Sequence, residues 1–346
     1  MNDGKPKNPA VSYRAAGVDL AAAESAKERI ARAVATTRTP WVTGHIGAFG
    51  GMVRIPTGLK DPTLVMSTDG VGTKVLVAEM AHRYDTVGED LVNHSVNDIL
   101  VHGARPLAFM DYIAGAGLSI DTIAALVEGV ARGCRAHDMA LTGGETAQMP
   151  GVYQPGNFDL AGTIVGVVEG HRAKHGDAIR TGDVLLGYAA DGLHTNGYTL
   201  ARRVLFEDLQ LHITDELAAV GTTVAEALLA VHRSYFQAVW PVIDHLHGMA
   251  HITGGGVAGN LVRILPDGVF AAVDPGAWEQ PALFQFLQRA GRISDAEMRE
   301  VFNLGIGFIA VLPPTSVDAA EAAATAAGID TWTIGEIRTG EREVRF

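Results

Sequence analysis

Cysteine is almost missing from this chain: Cys134 is the single one in 346 residues. One thiol cannot build an internal disulfide framework, nor a cysteine cluster for zinc. Positive charge is also scarce, with 27 Lys and Arg against 39 Asp and Glu and a net charge of −12. A general nucleic-acid binder needs a basic face to displace counterions, so that class is excluded. Long apolar runs are lacking too. No stretch approaches the roughly 18 uninterrupted apolar residues of a membrane span. The polar start, Met1 to Lys7, has no apolar region of the signal-peptide kind. The expectation is a soluble, cytoplasmic protein with no nucleic-acid or membrane partner.

Glycine, by contrast, is plentiful: 41 of 346 residues, about 12% against a typical ~7%. No collagen-like period or Gly/Ser linker absorbs the excess. It sits in short clusters at the ends of apolar runs, as expected of loops that approach ligands. The length is long for one core and predicts two domains. Cys134 falls on the apolar stripe of a predicted helix and reads as a core thiol.

The organising stretch is Leu64 to Lys74, LVMSTDGVGTK. Leu64, Val65 and Met66 form a short apolar run suited to a buried strand, which is expected to stop at Ser67-Thr68-Asp69. Gly70 and Gly72 then allow a sharp turn or a close backbone approach. A carboxylate at a strand end, followed by Gly70, Val71, Gly72, Thr73 and Lys74, suits a phosphate with its metal. Asp69 would be an oxygen ligand for Mg2+, backbone N–H groups would hold phosphate oxygens, and Lys74 would add a point charge. A plain polar hairpin turn is the competing reading.

Along the chain, residues 1–11 read as a mobile tail, 12–170 as an N-terminal domain and 171–346 as a C-terminal domain. Asp19 caps a predicted helix with Ala23, Ala26, Ile30 and Val34 on one face, followed by the glycine loop Gly44 to Gly51. A helix over Asp90 to Gly103 places Val92, Val96, Ile99 and Leu100 inward. Asp90, His94 and Asp98 recur every four residues on it, beside Asn93 and Asn97. Solvent exposure would explain that polar row; a metal-phosphate site at Asn97-Asp98 explains it better, because the row lacks Lys and Arg.

Pro106 to Ala114 is a predicted strand interrupted by Asp111. The helix after it carries Ile123, Leu126, Val127, Val130, Ala131 and Cys134 at three-four spacing. Met139 to Leu141 then ends in Thr142-Gly143-Gly144-Glu145-Thr146, repeating the strand, glycine, carboxylate and hydroxyl arrangement of the first motif. Leu160 to Glu169 returns as a strand, and the polar stretch 170–183 marks the domain junction. After the strand Val184 to Ala189, two helix starts carry histidine and glycine: His194-Thr195-Asn196-Gly197, and His251-Ile252-Thr253-Gly254-Gly255-Gly256. Unpaired N–H groups at a helix start favour anions, with an ordinary cap as the alternative. Gly305 to Ala310 matches GxGxxA, but Phe308 to Leu312 runs on as an apolar strand ending at Pro313 and not as a helix, so the dinucleotide reading fails. A helix near Val317 to Ala327 and a strand near Thr331 to Ile337 close the chain.

These motifs stand in one order: SYRAAGVD from Ser12, TDGVGTK from Thr68, VND from Val96, GGET-x-x-MPG from Gly143, HTNGYTL from His194, ITGGG from Ile252 and FNLGIG from Phe302. The set resembles the phosphoribosylformylglycinamidine cyclo-ligase (aminoimidazole ribonucleotide synthetase) family over nearly the whole chain. The resemblance implies an α/β (α+β) fold of two domains, with an N-terminal sheet that pairs with a second subunit's to form a dimeric barrel and a C-terminal α/β sandwich. It implies a homodimer that uses ATP and Mg2+ to close the imidazole ring of formylglycinamidine ribonucleotide in purine biosynthesis.

Within that resemblance, Asp69, Asp98 and Glu145 are expected on the Mg2+ side. Gly70 to Lys74, Asn97, Gly143, Gly144, Glu145 and Thr146 would meet the nucleotide. His194 to Gly197 and Thr253 to Gly256 would hold the ribose phosphate or nucleotide phosphates. Asp69, Lys74, His194 and His251 form the expected catalytic set, the two histidines moving the protons that ring closure releases. His45, Ala48 and Ala31 depart from residues common in relatives. A selenophosphate synthetase would show a reactive cysteine near its start, and a hydrogenase-maturation relative a cysteine tail. A thiamine-phosphate kinase is the nearest enzymatic rival, and a catalytically silent scaffold the rival from another class.

Overall fold

The computed structural model describes residues 29–45 and 48–346. The tail, the motif from Ser12, the Asp19 cap with Ala23 and Ala26, and two residues of the first glycine loop lie outside them.

The first sheet holds four strands in the order β1-β4-β2-β3: β1 (Pro62–Gly70), β2 (Arg105–Gly115), β3 (Ala140–Gln148) and β4 (Phe158–Glu169). Pairing is antiparallel except between β2 and β3. The helices that accompany it include α1 (Lys74–Ala81), α2 (Asp85–Leu100) and α3 (Ile120–Ala136). The predicted apolar stripe of α3 is buried from Ile123 to Cys134, and Ser119 caps the helix by accepting the Thr122 N–H. Burial raises the Cys134 thiol well above its usual range, which makes it the core thiol expected.

Three expectations need correction. Strand β1 does not stop at Ser67; it runs through Asp69 and Gly70, which pair with Gly162 and Ala161 of β4. Strand β3 likewise continues through Gly143, Gly144 and Glu145, where a loop was expected, because β2 supplies partners as far as Gln148. Asp111 does not break β2. It sits under Gly144, where an added Cβ would lie 1.9 Å from its Oδ1, and burial raises its carboxyl to about 7. Gly144 therefore makes room for a side chain on the neighbouring strand.

Helices α2 and α3 cover one face of this sheet. On the opposite face Leu64, Met66, Met110 and Tyr112 are exposed, Met66 by 66%. Glu145 is in register with Tyr112, so it shares that open face.

The second sheet has six strands in the order β10-β7-β9-β5-β8-β6. They are β5 (Val184–Ala189), β6 (Gly248–His251), β7 (Val269–Val273), β8 (Ile306–Leu312), β9 (Thr331–Thr339) and β10 (Val344–Arg345). Ile306–Leu312 is a fully buried strand, as the rejection of the dinucleotide motif required. The helices of this half include α4 (Tyr198–Arg202), α5 (Val224–Leu228), α6 (Phe236–Val239), α7 (Gly256–Leu261), α8 (Ala282–Gly291), α9 (Asp295–Val301) and α10 (Val317–Ala326). Beyond a single 3-10 turn at Gly170–Arg172, the chain between β4 and β5 has no regular element.

Candidate active site

Helix α2 runs between the two sheets and fixes the site. Its polar row, expected as a line of ligands, divides into two sets. Asp90, Asn93 and Asn97 clamp the backbone of the 232–235 loop. Asp90 Oδ1 accepts the His232 N–H at 2.6 Å, and Asn93 Nδ2 donates to His232 O at 2.8 Å. Asn97 donates to Arg233 O at 2.8 Å and accepts the Tyr235 N–H at 3.0 Å. Asn97 is fully buried. It joins the two halves, and it lines neither the cleft nor the recess described below, unlike the nucleotide-facing position expected for it.

His94 and Asp98 look the other way, into a cleft of about 480 Å³ whose walls include Asp69, His251, Thr253, Asn260 and Arg263. Ligand atoms of Asp69, His94 and Asp98 lie within 4.8 Å of one another. His94 Nε2 is 2.7 Å from Asp69 Oδ2, and His251 Nδ1 is 2.8 Å from Asp98 Oδ1. Burial works to raise the Asp69 carboxyl, but the hydrogen bond and charge of His94 hold it below its usual range. Asp98 is held low in the same manner, by His251. Burial opposes the charged form of His94, yet Asp69 and Asp98 together raise its pKa.

Behind the cleft the contacts continue. His94 Nδ1 is 2.9 Å from Thr195 Oγ1, which is 3.3 Å from His232 Nδ1, and His232 Nε2 is 3.0 Å from His251 Nε2. An unbroken chain of hydrogen bonds thus runs from Asp69 through His94, Thr195, His232 and His251 to Asp98. His232 belongs to none of the motifs and was missed in the sequence. Its only signal there is a histidine in a polar stretch between two apolar runs, which does not reveal a fully buried ring.

Two expected catalytic groups are placed elsewhere. Lys74 is fully buried, paired with Asp90 at 2.7 Å and donating to His194 O and Ala230 O. Its head group is committed to those two carbonyls and to the Asp90 carboxylate, and it lines neither the cleft nor the recess beside it. His194 is buried and stacked on His232 at 4.0 Å, and its Nε2 accepts the Asp191 N–H. Burial keeps it neutral, its pKa well below the ordinary value. It lines neither the cleft nor the recess beside it.

That recess, about 530 Å³, brings Gly72 and Thr73 together with Thr195, Asn196, Gly197 and Arg203. Gly254 stands next to Asn196, since an added Cβ there would lie 3.5 Å from Asn196 Oδ1. The structure therefore gathers the Thr68–Lys74, His194–Gly197 and Thr253–Gly256 motifs around one region. Val71 is buried beneath it. The Gly143–Thr146 motif is not gathered there: β3 and β1 are opposite edges of the sheet, so Glu145 does not join Asp69 and Asp98 within one chain. A larger hollow, about 620 Å³, opens elsewhere against Trp41, Arg105 and Trp240. Of its carboxylates, Asp244 is engaged by Arg172 and Glu169 by the Lys60 and Asp61 N–H groups, and no histidine lines it.

Two sheets bridged by a polar helix, with carboxylates and glycine-led tips at their joint, define an AIR synthase-type protein. Residues 47–168 match the family model "AIR synthase related protein, N-terminal domain", and residues 180–346 match the corresponding C-terminal domain. The phosphoribosylformylglycinamidine cyclo-ligase of Sorangium cellulosum is 48% identical over 331 residues, 94% of this chain and 95% of the relative. Its counterpart in Desulfatibacillum aliphaticivorans is 46% identical over 97% of this chain and 98% of the relative. The chain belongs to the phosphoribosylformylglycinamidine cyclo-ligase family. Solved structures share the fold at lower identity. Thiamine-monophosphate kinase from Stenotrophomonas maltophilia superposes with a TM-score of 0.69 at 20% identity, over 95% of this chain and 96% of that one. Hydrogenase maturation protein HypE in complex with ATP gives 0.59 at 20%, over 88% and 84%.

Proposed function

We propose that this chain catalyses the ATP-dependent ring closure of formylglycinamidine ribonucleotide to aminoimidazole ribonucleotide, releasing ADP and phosphate, in purine biosynthesis. The observation that carries this reading is the pair Asp69 and Asp98, each backed by a histidine, beside the recess formed by Gly72, Thr73 and Thr195 to Gly197. Near-full-length relatives bearing that activity's name support it. Structural neighbours solved with ATP, or with AMPPCP and TMP, support a nucleotide role for the shared fold.

A formyl oxygen is a poor leaving group and a phosphate a good one. The chemistry therefore asks the protein to align two substrates and offset transferring charge. Asp69 and Asp98 suit Mg2+: both present carboxylate oxygens to the cleft, their side chains 45% and 24% exposed, and both are held in the charged form. Mg2+ takes one or two such carboxylates and completes its shell with water and phosphate, and when bound it would neutralise phosphate charge. The N–H groups around Gly72 and Gly197, with Arg203, are the candidates for phosphate oxygens. His251 and Thr253 line the same cleft and are the candidates to orient the substrate.

The open sheet face of Leu64, Met66, Met110 and Tyr112 supports a homodimer, in which a second copy covers it and brings its own Glu145 to the joint. Sedimentation of the full chain at twice its monomer mass checks that. The protein is read as cytoplasmic; among the described residues no helix is long and apolar enough to cross a membrane. The decisive assay supplies formylglycinamidine ribonucleotide, ATP and Mg2+ and looks for aminoimidazole ribonucleotide with ADP. ADP formed instead with thiamine monophosphate as the acceptor would replace this reading.

A further inference from the structure

The FNLGIG motif has no part in the reading above, yet its turn, residues 302–305, lies against the wall of the recess. Asn303 is 3% exposed; its Nδ2 donates to Gly192 O at 3.0 Å, and its Oδ1 accepts the Gly305 N–H at 2.8 Å. Gly305 O in turn accepts the Ala190 N–H at 2.9 Å. The ring of Phe302 fills the space beside Gly197, where an added Cβ would lie 2.3 Å from its Cε1. One short turn thus holds the 190–197 loop at both of its ends.

That loop needs support. Gly192, His194 and Gly197 all have left-handed backbone, with φ of 63°, 61° and 78°. For His194, which carries a side chain, this conformation is strained and persists only where the surroundings impose it. Lys74 holds the His194 carbonyl and Arg233 holds the Asp191 carboxylate, while Asn303 holds the Gly192 carbonyl between them. Thr195, Asn196 and Gly197 follow at once and form one wall of the recess, facing Gly72 and Thr73. The walls are close: a Cβ added at Gly72 would lie 3.8 Å from Thr195 O. Asn303 itself lines neither the recess nor the cleft.

We infer that Asn303 is a positioning residue: by pinning Gly192 it sets the wall Thr195 to Gly197 at its distance from Gly72 and Thr73. It thereby sets the fit of the substrate phosphate that the recess takes. The inference rests on the functional reading above for what occupies the recess. A wall already in place spares the ligand the cost of ordering it, so loosening the wall weakens binding before it slows chemistry.

Three variants of the full-length protein separate positioning from general support. Asn303→Ala removes both bonds. Asn303→Ser keeps a hydroxyl able to accept the Gly305 N–H, as serine does in such turns, but is too short to reach Gly192 O. Trp278→Phe is the control: it keeps an aromatic ring and removes the 2.9 Å bond to Leu304 O on the same turn, leaving Asn303 intact. Asn303→Ser and Asn303→Ala should each raise KM for ATP or for the ribonucleotide roughly 5–10-fold, the worth of about one hydrogen bond, with kcat moving less. Trp278→Phe should lower the melting temperature and leave both KM values in place. Unchanged KM values in Asn303→Ser, or an equal rise in Trp278→Phe, overturn the inference. The unmutated protein tests it whatever the variants' folding. In 15N-labelled protein, the Asn303 side-chain NH2 signal should move together with the Gly197 amide when ATP with Mg2+, or the ribonucleotide, is added to saturation. A Gly197 signal that moves while Asn303 stays still overturns the inference alone. A Gly197 signal that neither ligand moves sinks the reading of the recess, and the inference with it.

Discussion

Lys74 Nζ and Asp90 Oδ2 lie 2.7 Å apart with neither side chain exposed, which ties the start of α1 to the middle of α2. Burial pushes each toward its neutral form, lowering the lysine's pKa and raising the aspartate's, while their mutual attraction opposes it. A buried pair adds little net stability compared with an apolar replacement, but losing one partner strands the other. Lys74→Met is expected to cost about 3–5 kcal/mol in urea unfolding. Adding Asp90→Asn, which keeps the oxygen that accepts the His232 N–H, should return a large part of it. An unchanged midpoint in the single variant would show that the pair does not hold α1 against α2.

Asp69→Asn tests the metal side of the cleft. The side chain is nearly half exposed, so the variant should melt close to the wild type. Turnover should fall on the order of 100-fold, as when a single charge-stabilising group is removed from an active site. Wild-type turnover at limiting Mg2+ would remove Asp69 from the metal's ligands.

Gly129→Ala should destabilise although it improves helix propensity. An added Cβ would lie 2.0 Å from Asp85 O and 3.1 Å from Gly88 Cα, where α3 crosses α2. The propensity gain is about 1 kcal/mol and overpacking costs about 1–3 kcal/mol or more; against backbone atoms this close, the clash wins. A thermal melt that shifts upward would contradict the tight crossing.

His137 makes stability depend on pH. Burial depresses its pKa to about 4, and its Nε2 meets Asn93 Oδ1 at 3.2 Å. The folded state holds fewer protons on this ring than the unfolded chain does between pH 6.5 and about 4. Its contribution is therefore fully present above pH 6.5 and lost as pH falls toward 4. Urea midpoints across that window should decline less steeply in His137→Gln than in the wild type. Parallel declines would assign the acid sensitivity to the carboxylates alone.

Much of this architecture was legible in the sequence, and the failures share one physical cause. Periodicity identified the buried face of α3 and the strands Val184–Ala189 and Ile306–Leu312, because burial alone sets those patterns. Periodicity also grouped Asp90, His94 and Asp98 on one side of α2, but a repeat says nothing about what lies against that side. Here it is a loop more than 130 residues later, and Asp90 and Asn97 serve that loop instead of a ligand. The Asp69 and Glu145 motifs look alike in sequence, yet sheet order separates them by three strand spacings, on the order of 14 Å. Register further turns Glu145 to the open face. Strand order and register are long-range properties that neither motif encodes.

Helix α2 carries the Asp90, Asn93 and Asn97 clamp along one side and the His94 and Asp98 wall of the cleft along another. One rod is thus both the axle joining the lobes and the floor of the reaction chamber. Swinging the lobes apart would dismantle the chamber it was meant to open. Traffic in and out must therefore pass by small movements of the rim, and the halves should tumble and breathe as a single rigid unit throughout turnover.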